Sequence, residues 1–131
     1  MWADRIGTVR EKGLAGIVTV NMERWFSKEF RERSPQAINR MRATFLGTKV
    51  DGYVGCCEAI RDMDHRPLLS KIAAPTLVIG GRLDPATPLE ASEFIRHHVP
   101  SARLTVLETA HIANVEQPQA YADAVLGFLL N

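Results

Sequence analysis

The sequence has 131 residues, of which 46% are hydrophobic and 24% charged, and its formal net charge is +1 at pH 7. That length and composition suit one globular domain. The net charge lacks the basic excess that is typical of a nucleic-acid-binding protein. No stretch of the sequence approaches the ~18 consecutive apolar residues that a membrane helix needs. The first residues contain no apolar signal segment. Cys56 and Cys57 are adjacent, and adjacent cysteines rarely form a structural disulfide, so we expect a reduced, cytoplasmic protein. From the charge and the hydropathy we expect no nucleic-acid or membrane partner.

The first half of the chain has the apolar spacing of α-helices. One predicted helix begins before Ile6 and continues past Gly13 to Ile17. Another starts at Pro35 with Ser34 as its N-cap, and Gly47 can end it. A further helix is predicted over 52–63, and its expected apolar face consists of Tyr53, Cys56, Cys57, Ile60 and Met63. We therefore expect three or four short helices in residues 1–66.

From Pro67 onward the pattern changes to strand, helix, strand, helix. The apolar run at 75–80 predicts a parallel strand that is buried on both faces. Thr87 and Pro88 are predicted to cap a helix that ends near His98, and Ala102–Leu107 predicts a second strand. Pro118 then begins a last helix, whose apolar face is expected to contain Tyr121, Ala124, Val125, Phe128 and Leu129. The predicted class is α/β, with the two strands parallel.

Two ionisable residues follow the predicted strands directly. Asp84 comes after the first strand and His111 after the second. Because ligands bind at the carboxyl ends of parallel strands, these side chains are expected at one edge of the sheet, within hydrogen-bond reach. Such a pair would supply the acid and the base of a nucleophile–base–acid triad. The alternative is structural, with Asp84 capping its turn and His111 capping the last helix.

The same segments resemble a known family. The run Pro75-Thr-Leu-Val-Ile-Gly-Gly-x-x-Asp-x-x-Thr-Pro, followed by Ala110-His-x-x-Asn-Val-Glu-Gln-Pro, is similar to the end of α/β-hydrolases, whose triad runs Ser, Asp, His along the chain. Arg24-Trp-Phe and the segment 52–64 resemble the helical cap of 3-oxoadipate enol-lactonases. The resemblance implies a partial α/β-hydrolase fold, with residues 1–66 as a cap and 67–131 as the C-terminal β-α-β-α part of the core.

The resemblance also implies an activity. It is that of a serine hydrolase of bacterial aromatic catabolism, in the β-ketoadipate pathway, which opens the enol-lactone of 3-oxoadipate with water and needs no metal or organic cofactor. Asp84 and His111 match the family's acid and base. A cap arginine could hold the substrate carboxylate, and the candidates are Arg24, Arg42 and Arg61. Trp25 could line the pocket under the cap, although core packing is the role that we favour for it.

No Gly-x-Ser-x-Gly turn occurs among the 131 residues, and no serine follows a predicted strand in the way a nucleophile does. We interpret Cys56 and Cys57 as helix-packing residues, and no histidine spacing suggests a metal site. The 131-residue chain by itself is therefore expected to be inactive. The alternatives are a non-catalytic module, a different α/β-hydrolase esterase, or a second chain that supplies the nucleophile.

The first predicted strand would have one bare apolar edge. Bare edges invite pairing with another chain, so we expect a homo-oligomer through this edge, or else a missing N-terminal half that covers it.

Overall fold

The computed structural model describes residues 1–130 and divides them into two compact units. One unit comprises residues 1–23 and 31–64, and the other comprises residues 24–30 and the described residues from 65 onward. The helices and strands, in chain order, are α1 (Trp2–Lys12), α2 (Val18–Trp25), α3 (Lys28–Arg33), α4 (Pro35–Leu46), α5 (Val50–Asp62), β1 (Thr76–Gly81), α6 (Leu89–His98), β2 (Ala102–Leu107), α7 (Ala113–Glu116) and α8 (Pro118–Leu129). Among these residues no helix is both long and apolar enough to cross a membrane.

The prediction of one continuous helix through Gly13 was wrong. Gly13 has a φ of 63° and ends α1. A short 3-10 turn at Leu14–Gly16 follows, and α2 then begins. A positive φ suits glycine because it has no Cβ to clash with the backbone, so the apolar spacing continues while the helix does not. Residues 1–66 therefore contain five α-helices, α1 to α5, instead of three or four.

Helices α4 and α5 begin and end close to their predicted limits, but the buried face of α5 differs from the prediction. Its buried residues are Val54 and Cys57, whereas Cys56 is exposed and Ile60 and Met63 are 41% and 53% exposed. The buried face is the one that packs against α1, and an apolar stripe cannot reveal which helix will be the neighbour. The packing role predicted for Cys56 was wrong, and that for Cys57 fits its burial.

The second unit contains the predicted parallel pair of strands. β1 pairs with β2 in a register that runs from Thr76 opposite Ala102 to Gly81 opposite Leu107. Helix α6 packs close to Gly80, where an added Cβ would lie 2.9 Å from a Leu89 side-chain carbon. The predicted α/β class is confirmed, and the two strand ends lie level with each other.

Two details of this unit differ from the prediction. The first four residues of β1 are half-buried instead of fully buried, because β1 has a single neighbouring strand in the described sheet. In α8, Leu129 is 68% exposed, while the other residues of the predicted face are half-buried. Phe128 of that face lies 6.0 Å from the guanidinium carbon of Arg103, which places α8 beside β2.

Candidate active site

The two candidate catalytic side chains meet where the strands end. Backbone hydrogen bonds continue past the sheet, from the Arg82 N–H to the Leu107 carbonyl and from the Leu83 N–H to the Thr109 carbonyl, both at 2.9 Å. These bonds hold the two following loops side by side. As a result, Nδ1 of His111 lies 2.8 Å from Oδ2 of Asp84. The sequence predicted this proximity from the positions of both residues just beyond parallel strands.

Asp84 is held as a carboxylate by its own turn. Its Oδ1 accepts the N–H groups of Ala86 at 2.7 Å and Thr87 at 3.0 Å, and its Oδ2 accepts the Thr87 hydroxyl at 2.7 Å. The side chain is only 5% exposed. Burial alone would raise the pKa of Asp84, but the hydrogen bonds from Thr87, His111 and Ala86 outweigh it, so the pKa lies below its ordinary value. Asp84 is therefore ionised at neutral pH.

Thr87 has a different role from the one predicted. The sequence suggested that it caps α6, yet α6 has no side-chain cap bond and its N-cap residue is Pro88. The Thr87 hydroxyl instead donates to Asp84 and lies 3.2 Å from Nδ1 of His111. It therefore touches both members of the pair, and the D-x-x-T spacing could have signalled this.

The Asp84 contact determines which nitrogen of His111 can exchange protons. An ionised carboxylate only accepts hydrogen bonds, so Nδ1 of His111 carries a proton and donates it to Asp84. Nε2 is then the nitrogen that is left to take or give a proton. The His111 side chain is 33% exposed, and it borders a groove of about 490 Å³ that is lined by Leu77 and Ile79 of β1 and by side chains of α8. This arrangement can carry out general acid–base chemistry on a group placed in the groove.

The other predicted site residues are located as follows. Trp25 and Arg24 are half-buried at the end of α2, and the Trp25 carbonyl accepts the N–H of Ile112, next to His111, at 3.1 Å. Arg42 lies 3.4 Å from the Thr19 hydroxyl, and Arg61 forms two bonds of 2.7 Å with Asp62. The substrate-binding roles of these residues stay predictions.

Two residues that shape the site escaped the sequence analysis. Gly81 has no room for a side chain, since an added Cβ would lie 2.5 Å from the Ala110 carbonyl oxygen and 2.6 Å from that of Thr109. Glu116 is a buried acid that hydrogen-bonds to the backbone next to His111. Both residues belong to patterns that are visible in the sequence, the Gly80-Gly81 pair and the Asn-Val-Glu-Gln-Pro segment. Neither pattern indicates by itself which contacts the residue makes in the folded protein.

The described part of the chain contains no group of three or more His, Cys, Asp or Glu side chains that could hold a metal ion. Two of the remaining histidines, His97 and His98, each place Nδ1 2.7 Å from the carbonyl oxygen of the residue four positions earlier in α6.

Comparison with known proteins shows which family the chain belongs to. The model of the TAP-like protein family, an α/β-hydrolase family, matches residues 43–131. This chain belongs to the α/β-hydrolase family. It is 41% identical over 95% of its length to 3-oxoadipate enol-lactonase 2 of Acinetobacter baylyi and 31% identical over 98% to enol-lactonase 1 of that species. The crystal structure of the enol-lactonase from Burkholderia xenovorans matches the whole chain with a TM-score of 0.97 at 31% identity.

These alignments include almost all of this chain, but only about half of each relative. The chain spans 46% and 48% of the two Acinetobacter baylyi relatives and 50% of the Burkholderia xenovorans enol-lactonase. A hydrolase from Pseudomonas aeruginosa is also similar, with a TM-score of 0.92 and 36% identity over 98% of this chain. The partial α/β-hydrolase fold predicted from the sequence is thereby confirmed, as is the resemblance to enol-lactonases.

Proposed function

We propose that this chain supplies the acid and the general base of a hydrolase that opens lactones, with the enol-lactone of 3-oxoadipate as the preferred substrate. The observation that carries the proposal is the 2.8 Å contact between Nδ1 of His111 and Oδ2 of Asp84 beyond the carboxyl ends of β1 and β2. Supporting it are the two relatives named 3-oxoadipate enol-lactonase, at 41% and 31% identity. No step of the proposed reaction requires a metal or an organic cofactor.

In the proposed reaction His111 moves protons in both directions. Nε2 takes the proton from a nucleophile hydroxyl as its oxygen attacks the lactone carbonyl, and Asp84 stabilises the resulting imidazolium. The imidazolium returns the proton to the departing ring oxygen, which leaves an acyl-enzyme. His111 then takes a proton from water, whose oxygen attacks the acyl carbon. The nucleophile regains its proton, and the opened acid is released.

The nucleophile of this scheme lies outside the 131 residues, which contain no Gly-x-Ser-x-Gly turn. The groove beside His111 is the place where we expect it to enter, because Leu77 and Ile79 of β1 line that groove and are only half-buried. A polypeptide that pairs with β1 would cover these side chains and could bring a hydroxyl to Nε2. That polypeptide would be an N-terminal half that bears the nucleophile. A second copy of this chain could also pair with β1, but it has the same 131 residues and no Gly-x-Ser-x-Gly turn.

For substrate recognition we propose Arg24 and Trp25. The enol-lactone carries a carboxylate, and Arg24 is a half-buried cation in the same compact unit as His111. A guanidinium suits a carboxylate because its fixed fork of N–H donors matches two oxygens. We also propose that residues 1–66 act as the cap. Both cysteines are free, which is consistent with a reducing cytoplasm as the site of action.

The proposal is tested with a chimera in which the N-terminal half of the Acinetobacter baylyi enol-lactonase 2 precedes these 131 residues. We expect the chimera to open the enol-lactone faster than it cleaves a simple activated ester. His111→Ala should abolish both activities, while His97→Ala, on the exposed face of α6, should leave them unchanged. A folded chimera that hydrolyses neither compound, or one whose activity survives His111→Ala, would refute the proposal. A preference for the simple ester would instead point to a different esterase.

A further inference from the structure

A buried acid that the reaction scheme does not use lies behind the candidate base. Glu116, in the short helix α7, is 5% exposed. Its Oε2 accepts the N–H of Ala110 at 3.1 Å and the N–H of Ser27 at 3.2 Å, and its Oε1 accepts the Ser27 hydroxyl. The hydroxyl oxygen of Ser27 in turn accepts the N–H of Phe30 at 3.2 Å, so its own proton is free to point at Glu116.

Hydrogen bonds restrain the backbone on both sides of His111. The residue before it, Ala110, is bound by Glu116, and the residue after it, Ile112, donates its N–H to the Trp25 carbonyl at 3.1 Å. Both restraints connect His111's neighbours to the same segment, Trp25–Ser27, which lies about ninety residues earlier in the chain. A loop that is held on both sides keeps its central side chain in one place, and small errors in the position of a base strongly reduce catalysis.

We propose that Glu116 is a positioning residue for His111: by holding the Ala110 N–H against the Trp25–Ser27 segment, it keeps Nδ1 of His111 on Asp84. The inference rests on the proposed function for its catalytic meaning, but its geometric content can be tested without turnover. Ala110 is buried, so its N–H has no access to water that could replace Glu116 as acceptor. Without Glu116 we therefore expect the loop to move until that N–H finds another partner.

The test uses the 131-residue chain and records the ¹⁵N chemical shifts of the His111 ring, which report which nitrogen carries the proton. In the unchanged protein the Nδ1–H form should dominate, because Asp84 accepts that proton. In Glu116→Ala we expect most of that form to be lost while the amide spectrum still shows a folded protein. Asp84→Ala provides the signature of a broken contact, and Glu93→Ala, an exposed acid on α6, is the matched control that should change nothing.

Glu116→Gln should rescue the Nδ1–H form. Its amide oxygen can accept the two backbone N–H groups that Oε2 accepts, and its NH₂ group can donate to the Ser27 oxygen. A folded Glu116→Ala protein that keeps the Nδ1–H form of His111 would overturn the inference. If Glu116→Ala does not fold, Glu116→Asp replaces it, since the shorter acid cannot reach both N–H groups. A decrease of the Nδ1–H form there supports the inference, and an unchanged ring spectrum overturns it.

In the chimera the same variants separate this inference from the proposed function. Positioning predicts that Glu116→Ala lowers kcat by about 100-fold with little change in KM. If the chimera has no activity, the proposed function fails, while the ring spectra of the 131-residue chain still decide whether Glu116 positions His111.

Discussion

Gly81→Ala is expected to displace the loop that carries His111. The added Cβ would lie 2.5 Å from the carbonyl oxygen of Ala110, whereas ordinary contacts begin at 3.4 Å, so the loop must move by about 0.9 Å. Both close atoms belong to the backbone of Thr109 and Ala110, so no flexible side chain can turn aside. A movement of that size along the bond would lengthen the 2.8 Å contact between His111 and Asp84 beyond hydrogen-bond range.

Two quantities should change in Gly81→Ala. Overpacking of this kind lowers the free energy of unfolding by about 1–3 kcal/mol, and chemical denaturation of the 131-residue chain measures that loss. In the chimera described above, a displacement near 1 Å should lower kcat by about 100-fold. The matched control is Gly127→Ala in α8, where an added Cβ meets no atom within 4 Å. Alanine is the better helix former, so the control should gain up to about 1 kcal/mol.

The expected displacement of the His111 loop is refuted if Gly81→Ala unfolds at the same denaturant concentration as the unchanged protein and keeps the Nδ1–H form of His111. That result would mean that the loop at Thr109 and Ala110 can move away without disturbing the contact to Asp84. If stability falls but the His111 ring spectrum is unchanged, the strain is absorbed elsewhere, and Gly81 does not control the position of His111.

Three further outcomes are expected. The pKa of Asp84 lies below its ordinary value in the folded protein, so its stabilising contribution is complete above about pH 5 and is lost as the pH falls through the folded-state pKa. The difference in free energy of unfolding between the unchanged protein and Asp84→Asn should therefore narrow only below about pH 5, and a difference that already narrows at neutral pH contradicts this expectation. Thr87→Val keeps the side-chain shape but removes the 2.7 Å bond to Asp84, so denaturation should show a loss of about 1 kcal/mol, and no loss would mean that this bond is dispensable. Sedimentation equilibrium should give a mass above that of one chain if β1 pairs with a second copy, whereas a single-chain mass at every concentration excludes the homo-oligomer.

Local sequence patterns were enough to predict the helices and strands in the second half of the chain. β2 has its predicted limits, β1 is displaced by one residue, and α6 ends at His98 as expected. These elements follow from continuous apolar runs and helix-starting prolines, which act within a few residues. Because both strands are parallel and adjacent, the positions of Asp84 and His111 just after them were enough to bring the two side chains together.

What the sequence alone determined is therefore the family, the α/β class and the Asp84–His111 pair. The tertiary structure decided the rest: that α5 buries Val54 and exposes Cys56, and that Glu116 bonds to Ser27, 89 residues away. It also decided that Gly81 must lack a side chain beneath the Ala110 carbonyl. The physical reason is the range of the interactions: turns and strands follow from neighbours along the chain, whereas burial and hydrogen-bond partners depend on residues that only folding brings close.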